Sequence, residues 1–146
     1  MRQAVERTST DVVELRIPSR AEWVALARLA VAAVANRLRF TIEDIEDVKL
    51  AVAEACTAVI QHERHGEFID LTCETSPDSL RVRVRDAGRQ AITRENGRSM
   101  DLDEARIAGL GVFLIRTLMD EVTYDVDPEL GTDLVMVKRL QGRPTA

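Results

Sequence analysis

The sequence predicts an α+β fold, a two-layer sandwich of a mostly antiparallel sheet with helices on one face. Three observations predict it. The apolar patterns run in the order strand, two helices, two strands, helix, two strands. Successive strands are joined by short turn-like segments, so they pair as hairpins. The helices do not alternate with single strands, which disfavours a doubly wound parallel sheet.

Each element has its own signal. From Asp11 to Ile17, Val13, Leu15 and Ile17 alternate with Glu14 and Arg16, the pattern of a half-buried strand that Pro18 stops. Ser19 followed by Glu22 reads as a capping box opening a helix that runs to about Leu38. Its apolar stripe is Trp23, Leu26, Ala27, Ala30, Val31 and Val34. Thr41 with Asp44 gives a second cap, and Phe40 and Ile45 are placed to form a hydrophobic staple. That second helix extends to about His62, and Gly66 marks the turn beyond it. Phe68–Thr75 and Leu80–Asp86 read as strands around the turn Ser76-Pro77-Asp78-Ser79. In the latter strand Leu80, Val82 and Val84 alternate with Arg81, Arg83 and Arg85, so one sheet face is packed and the arginine ladder is most simply the wet one. Gly88 to about Ala105 has no sustained period and is rich in polar residues, which marks a functional lid or disorder. A short helix from about Leu110 to Met119 follows. The last two strands, about Glu121–Asp127 and Thr132–Leu140, turn at Pro128-Glu129-Leu130-Gly131, and Gln141–Ala146 reads as a tail. No repeat or linker divides the chain, so residues 1–146 are expected to form one domain with its core at about 11–140.

Composition narrows the function. With 146 residues, 45% of them hydrophobic, the chain can bury a substantial core. A net charge of −5, with no basic stripe and only 3% aromatic residues, disfavours direct nucleic-acid binding. No apolar stretch is long enough to span a membrane, and the polar start Met-Arg-Gln-Ala-Val-Glu-Arg does not resemble a signal peptide, so a cytoplasmic location is expected. Cys56 and Cys73 lie far apart in apolar patterns and read as buried thiols. His62 and His65 have no cysteine or acid completing a four-ligand set, so no metal centre is expected from them.

Four short segments carry chemistry. Glu54 is the single acid in the otherwise uncharged run Leu50–Ile60. An ionised carboxylate is costly to bury, so it is either on the helix's exposed side or has a partner or a task. Asp86-Ala87-Gly88 ends a strand before the lid. Its carboxylate is suited to accept from a base amino group, and its glycine leaves room for a flat ring, although alone it reads as a turn. Gly109-Leu110-Gly111 stands at a helix mouth, where close backbone approach and free amides favour an anion such as phosphate. Gly131-Thr132 opens the last strand and alone is an ordinary turn.

Taken together, Glu54-Ala55-Cys56-Thr57, Asp86-x-Gly88, the lid and Gly109-x-Gly111 leading into Leu118-Met119-Asp120-Glu121-Val122 form an ordered set. The chain resembles the anti-sigma-factor serine kinases of bacterial stress and sporulation switches, members of the GHKL (histidine kinase-like) ATPase superfamily. The resemblance spans about Val13 to Leu140 and is closest at Ile45–Lys49 through Glu54–Thr57, at Gln61-His62 and from Gly109 to Val122. It implies that Glu54 is the general base toward a substrate serine and that Asp86, beside Gly88, reads adenine. It also implies that Gly109 and Gly111 close over the phosphates and that Thr132 assists adenine or phosphate contacts. Arg28 resembles an arginine that some members turn toward protein partners, though helix arginines are mostly solvated. The implied partners are a sigma factor, an anti-anti-sigma antagonist and a second copy of the chain in a homodimer.

One departure matters most. Four residues after the acid, where the family has a magnesium-holding asparagine, this chain has Ala58, which offers no oxygen. Gln61 lies about one turn further on, Ala108 stands where many members have another glycine, and Arg106 at the lid's end reads as solvated or phosphate-facing. Three readings result, the blandest being a stand-alone nucleotide sensor with neither partner. The first is an anti-sigma factor that sequesters a sigma factor, with ATP or ADP a weak or structural ligand and the magnesium site impaired. The second is an active serine/threonine kinase that uses ATP to phosphorylate the antagonist.

Overall fold

A computed structural model describes residues 10–62, 65–87, 111–127 and 131–141. Strand β1 is Val12–Pro18, followed by a single 3-10 turn at Ala21–Trp23 and by helices α1, Val24–Ala35, and α2, Ile42–Gln61. Strands β2, Phe68–Ser76, and β3, Ser79–Ala87, come next. Helix α3 is described over residues 111–118, and strands β4, Glu121–Asp127, and β5, Gly131–Arg139, complete the fold. The five strands lie in the order β1-β2-β3-β5-β4, and every neighbouring pair is antiparallel. The α+β sandwich is therefore as the patterning predicts. The lid, the turn at 128–130 and the tail fall outside the described residues, apart from Gln141.

The alternation in β3 sorts the two sheet faces. Leu80, Val82 and Val84 are fully buried under the helices, in register with Thr75, Cys73 and Leu71 of β2. The arginines face outward and find acids across the strands. Arg81 pairs with Glu74 at 3.1 Å, and Arg83 forms a two-pronged pair with Asp133 at 2.9 and 2.6 Å. Arg16 grips Asp70 in the same way at 2.7 and 2.9 Å while lying over the Phe68 ring, and Arg139 pairs with Glu121. The ladder is thus a wet face laced with ion pairs, each of small energetic worth because water screens it.

Local sequence sets the helix ends. At α2, Thr41 Oγ1 accepts from the Asp44 N–H at 3.0 Å and Asp44 Oδ2 accepts from the Thr41 N–H at 3.3 Å, the reciprocal cap the sequence predicts. Phe40 and Ile45 both join the core, as a staple requires. At α1 the expected cap does not form. Ser19 is buried and directs its hydroxyl to His65, so the helix opens through the 3-10 turn with no side-chain cap. Helix α1 also stops at Ala35 rather than about Leu38, because Arg37 N–H and Leu38 N–H donate three residues back, to Val34 and Ala35, and tighten the chain out of the α form.

Helix α2 packs on α1 and across β3 and β5, with Val48, Val52, Ala55 and Val59 facing inward. The end of α3 is held from below. Buried Lys138 on β5 donates from Nζ to the Leu118 carbonyl at 2.6 Å and lies 3.6 Å from Asp47 and 4.0 Å from Asp44 on α2. Next to it, the Arg139 N–H donates to Asp120 Oδ2 at 2.6 Å. One β5 segment therefore ties the last turn of α3 to the first turns of α2.

Candidate functional site

Glu54 sits at the edge of the buried stripe of α2 and is half-buried. Its carboxylate points to the start of the described part of α3, where Oε1 lies 3.7 Å from the position a side chain would begin at Gly111. That spacing is ordinary van der Waals contact, so a larger residue at position 111 would roof over the carboxylate, and the glycine keeps it accessible. The acid is thus neither on a fully solvated face nor in the core. It stands at a seam between two helices.

One turn further along α2, Ala58 is only 7% exposed and contributes a methyl group to the wall. Thr57 between them is occupied locally, its hydroxyl donating to the Ala53 carbonyl at 2.9 Å. Gln61 is the exposed last residue of the helix. No group of three or more His, Cys, Asp or Glu side chains suited to a metal ion occurs among the described residues. Cys56 and Cys73 are free and buried, and burial pushes their thiols up to about 12 and about 11.

A second cluster lies on the sheet. Asp86 ends the inward row Leu80, Val82, Val84 and is 6% exposed, a carboxylate in a place the alternation otherwise fills with apolar side chains. Its Oδ1 accepts the Gly66 N–H at 2.7 Å. On β5, Thr132 is 2% exposed, and its hydroxyl has no hydrogen-bond partner among the described residues. Asp86 and Thr132 flank the last register pair of these strands, Arg85↔Asp133, and both are buried. Gly131 just before has φ 89°, a left-handed conformation that favours glycine. Buried polar atoms are ordinarily paired, so the Thr132 hydroxyl stands out as unsatisfied.

The structure therefore brings Glu54 to Gly111 and sets Asp86 and Thr132 at the same end of the β3–β5 ladder, and α2 lies over the two strands that bear them. Gly88, Arg106, Ala108 and Gly109 fall outside the described residues. Sequence patterning read Gly66 only as a turn, whereas its amide holds Asp86 from 20 residues away, and it missed the role of Ser19 and His65 around that glycine. Nothing in local sequence signals such a contact.

The outward side of α1 is a further departure. Trp23 and Leu26, assigned by periodicity to the core stripe, are exposed, as is Leu29 at 65%. Exposed Arg28 lies next to Leu29 in sequence. The inward positions of α1 are Ala27, Val31, Val34 and Ala35. A helix that carries leucines on its outer side has more apolar surface than its own fold buries.

Comparison with known proteins agrees with this fold. Residues 17–138 match the family described as histidine kinase-like ATPase domain. The chain is 38% identical over 140 residues to the serine-protein kinase RsbW of Halalkalibacterium halodurans, covering 90% of this chain and 85% of that protein. It is 34% identical over 147 residues to the serine-protein kinase RsbW of Bacillus subtilis, covering 93% and 90%. With the protein of the same name from Listeria innocua the identity is 37% over 141 residues, covering 90% and 88%.

Proposed function

The chain belongs to the histidine kinase-like ATPase domain family, and from that premise we propose that it is a cytoplasmic anti-sigma factor with an adenine-nucleotide site that grips magnesium poorly. It sequesters a sigma factor, and an anti-anti-sigma antagonist that competes for the same surface releases it. The chain acts as a single domain, with a core from about residue 11 to 140, and pairs with a second copy of itself. The observation that carries this reading is the buried methyl of Ala58 one turn beyond Glu54 on the same helix side.

The residues divide the work. Asp86 accepts from the adenine amino group, with its carboxylate already held by Gly66, and the Thr132 hydroxyl finds there the partner it otherwise lacks. Gly88 leaves room for the flat ring, and Gly109 and Gly111 let the backbone approach the phosphates. ATP, when bound, supplies a transferable phosphoryl group, whose charge magnesium ordinarily offsets. The donor set fits the nucleotide better than the metal, because Ala58 presents no oxygen where the family's ligand stands. Toward protein partners, α1 offers Trp23, Leu26 and Leu29 with Arg28.

A second reading rests on a specific observation. Glu54 remains beside an open Gly111, placed to take the proton of a serine hydroxyl, as in a working serine/threonine kinase. Labelled ATP decides between the two. The protein is incubated with a candidate antagonist and magnesium, alone and as Glu54→Ala, and sigma-factor capture is measured in parallel. Capture with negligible phosphate transfer supports the anti-sigma reading. Robust transfer that disappears in Glu54→Ala establishes the kinase instead.

A further inference from the structure

The Asp86 carboxylate takes part in a contact that the strand register does not supply. Gly66, in the segment between α2 and β2, donates its N–H to Asp86 Oδ1 at 2.7 Å. The other side of the same glycine is held as well, since its carbonyl lies 2.9 Å from His65 Nδ1. A carbonyl can only accept, so Nδ1 carries the hydrogen. Ser19 Oγ lies 3.1 Å from that same nitrogen and shares the hydrogen as a second acceptor. Ser19 is buried where β1 gives way to the 3-10 turn, and its N–H donates to the Glu67 carbonyl at 2.9 Å. One serine thus pins the segment 65–67 twice, by side chain and by backbone. The line Ser19–His65–Gly66–Asp86 runs from the corner of the first strand to the base-reading carboxylate.

We infer that Ser19 and His65 are positioning residues for the nucleotide site: they hold the Gly66 amide on Asp86, so that the carboxylate is already oriented when the base arrives. This inference rests on the reading of Asp86 as the adenine acceptor. The physical gain is preorganisation. An aspartate free to rotate loses side-chain freedom on binding, whereas one fixed by a neighbouring amide has lost it on folding. The hydrogen-bonded shell around a binding side chain is then as necessary as the side chain itself. It also explains why Ser19 does not cap α1, since its hydroxyl is committed to the loop.

The experiment uses the full chain as parent, Ser19→Ala, His65→Ala and His65→Asn. Asparagine places an N–H donor close to where Nδ1 stands, so it keeps the contact to Gly66 while removing the ring. Thermal melting identifies variants that fold. Calorimetry then gives affinities for ADP and for inosine diphosphate, which carries an oxygen in place of the amino group that Asp86 reads. Amide hydrogen exchange of Gly66 is followed without nucleotide. Ser19→Ala and His65→Ala should weaken ADP binding by about fivefold, the worth of one hydrogen bond, with inosine diphosphate unchanged. Gly66 exchange should quicken by a similar factor, and His65→Asn should restore both readouts. Folded alanine variants that keep the parent's ADP preference and Gly66 exchange would overturn the inference, as would His65→Asn behaving like His65→Ala. A parent that binds no ADP overturns the nucleotide reading itself, a result distinct from either.

Discussion

Replacing Thr132 with valine should make the nucleotide-free protein more stable and its nucleotide complex weaker. The side chain is 2% exposed and its hydroxyl has no partner among the described residues. A buried, unpaired hydroxyl costs about 1–3 kcal/mol, and valine fills almost the same volume with a methyl group that has no such need. Taking the low end, because the site opens toward a ligand, the substitution should stabilise the free protein by roughly 1 kcal/mol. For a chain of this length that raises the melting temperature by about 3 °C. The second half of the prediction has the opposite sign. If nucleotide engages the hydroxyl, its loss removes a hydrogen bond of about 1 kcal/mol from the complex, about fivefold in affinity. Melting curves with and without ADP read both quantities, since bound ligand raises stability by RT ln(1 + [L]/Kd). The variant should melt higher without ADP and gain less from it. A lower melting temperature without ADP would mean that the hydroxyl is satisfied in the free protein, by water for example. A rise without ADP together with an undiminished ADP shift would place Thr132 outside the site.

Ala58→Asn should create magnesium-dependent ATP binding, read as a difference between titrations with and without the ion; no difference would mean that more than this side chain has been lost. Lys138→Met removes the Nζ contacts to the Leu118 carbonyl and to the acids of α2 while keeping the volume. It should cost roughly 2 kcal/mol in urea unfolding, less than a fully buried pair because Asp47 is part-exposed; a loss below about 0.5 kcal/mol would remove Lys138 as the tie under α3, since even one ordinary hydrogen bond is worth that much. Burial raises the thiols of Cys56 and Cys73 to about 12 and about 11, whereas in the unfolded chain they ionise near 8.5. Their neutral forms are favoured by folding, so this contribution is complete below about pH 8.5 and is lost as pH rises toward the folded values; urea midpoints should fall over that window, and a Cys56→Ala/Cys73→Ala variant should show a flatter alkaline limb.

Much of this architecture was legible because two periods dominate it. Alternation in β1 and β3 and the Thr41–Asp44 cap of α2 are local signals, and local geometry satisfies them. The failures share a cause in tertiary demand. Ser19 has the right spacing to Glu22 for a cap, but burial beside His65 offers its hydroxyl a competing partner. Leu26 has the right period for the core, yet α1 is apolar nearly all round, so periodicity could not say which side faces in. The site divides in the same way. Glu54 stands out because an acid interrupts an apolar run, and Asp86 because it ends a strand just before a glycine; the structure puts both at the margins of the core. Gly66 carries no such mark. Its importance lies in an amide hydrogen delivered across 20 residues, which composition cannot encode.

On this reading the two ends of the site answer to different physics, which is why one can persist while the other fades. Base recognition depends on buried polar groups set by the sheet, and every part of that apparatus is backed by packing: Asp86 by Gly66, Thr132 by the β5 register. Loss of Asp86 would leave the Gly66 N–H without its acceptor, a cost the fold itself would bear. The metal position has no such protection. An alanine at position 58 packs against the core as well as any small residue and leaves no buried group unsatisfied, so exchanging asparagine for it costs the scaffold little. Phosphoryl transfer is therefore the function that can be shed at small structural cost, while nucleotide binding and the leucine-bearing outer side of α1 stay intact for sequestering a partner.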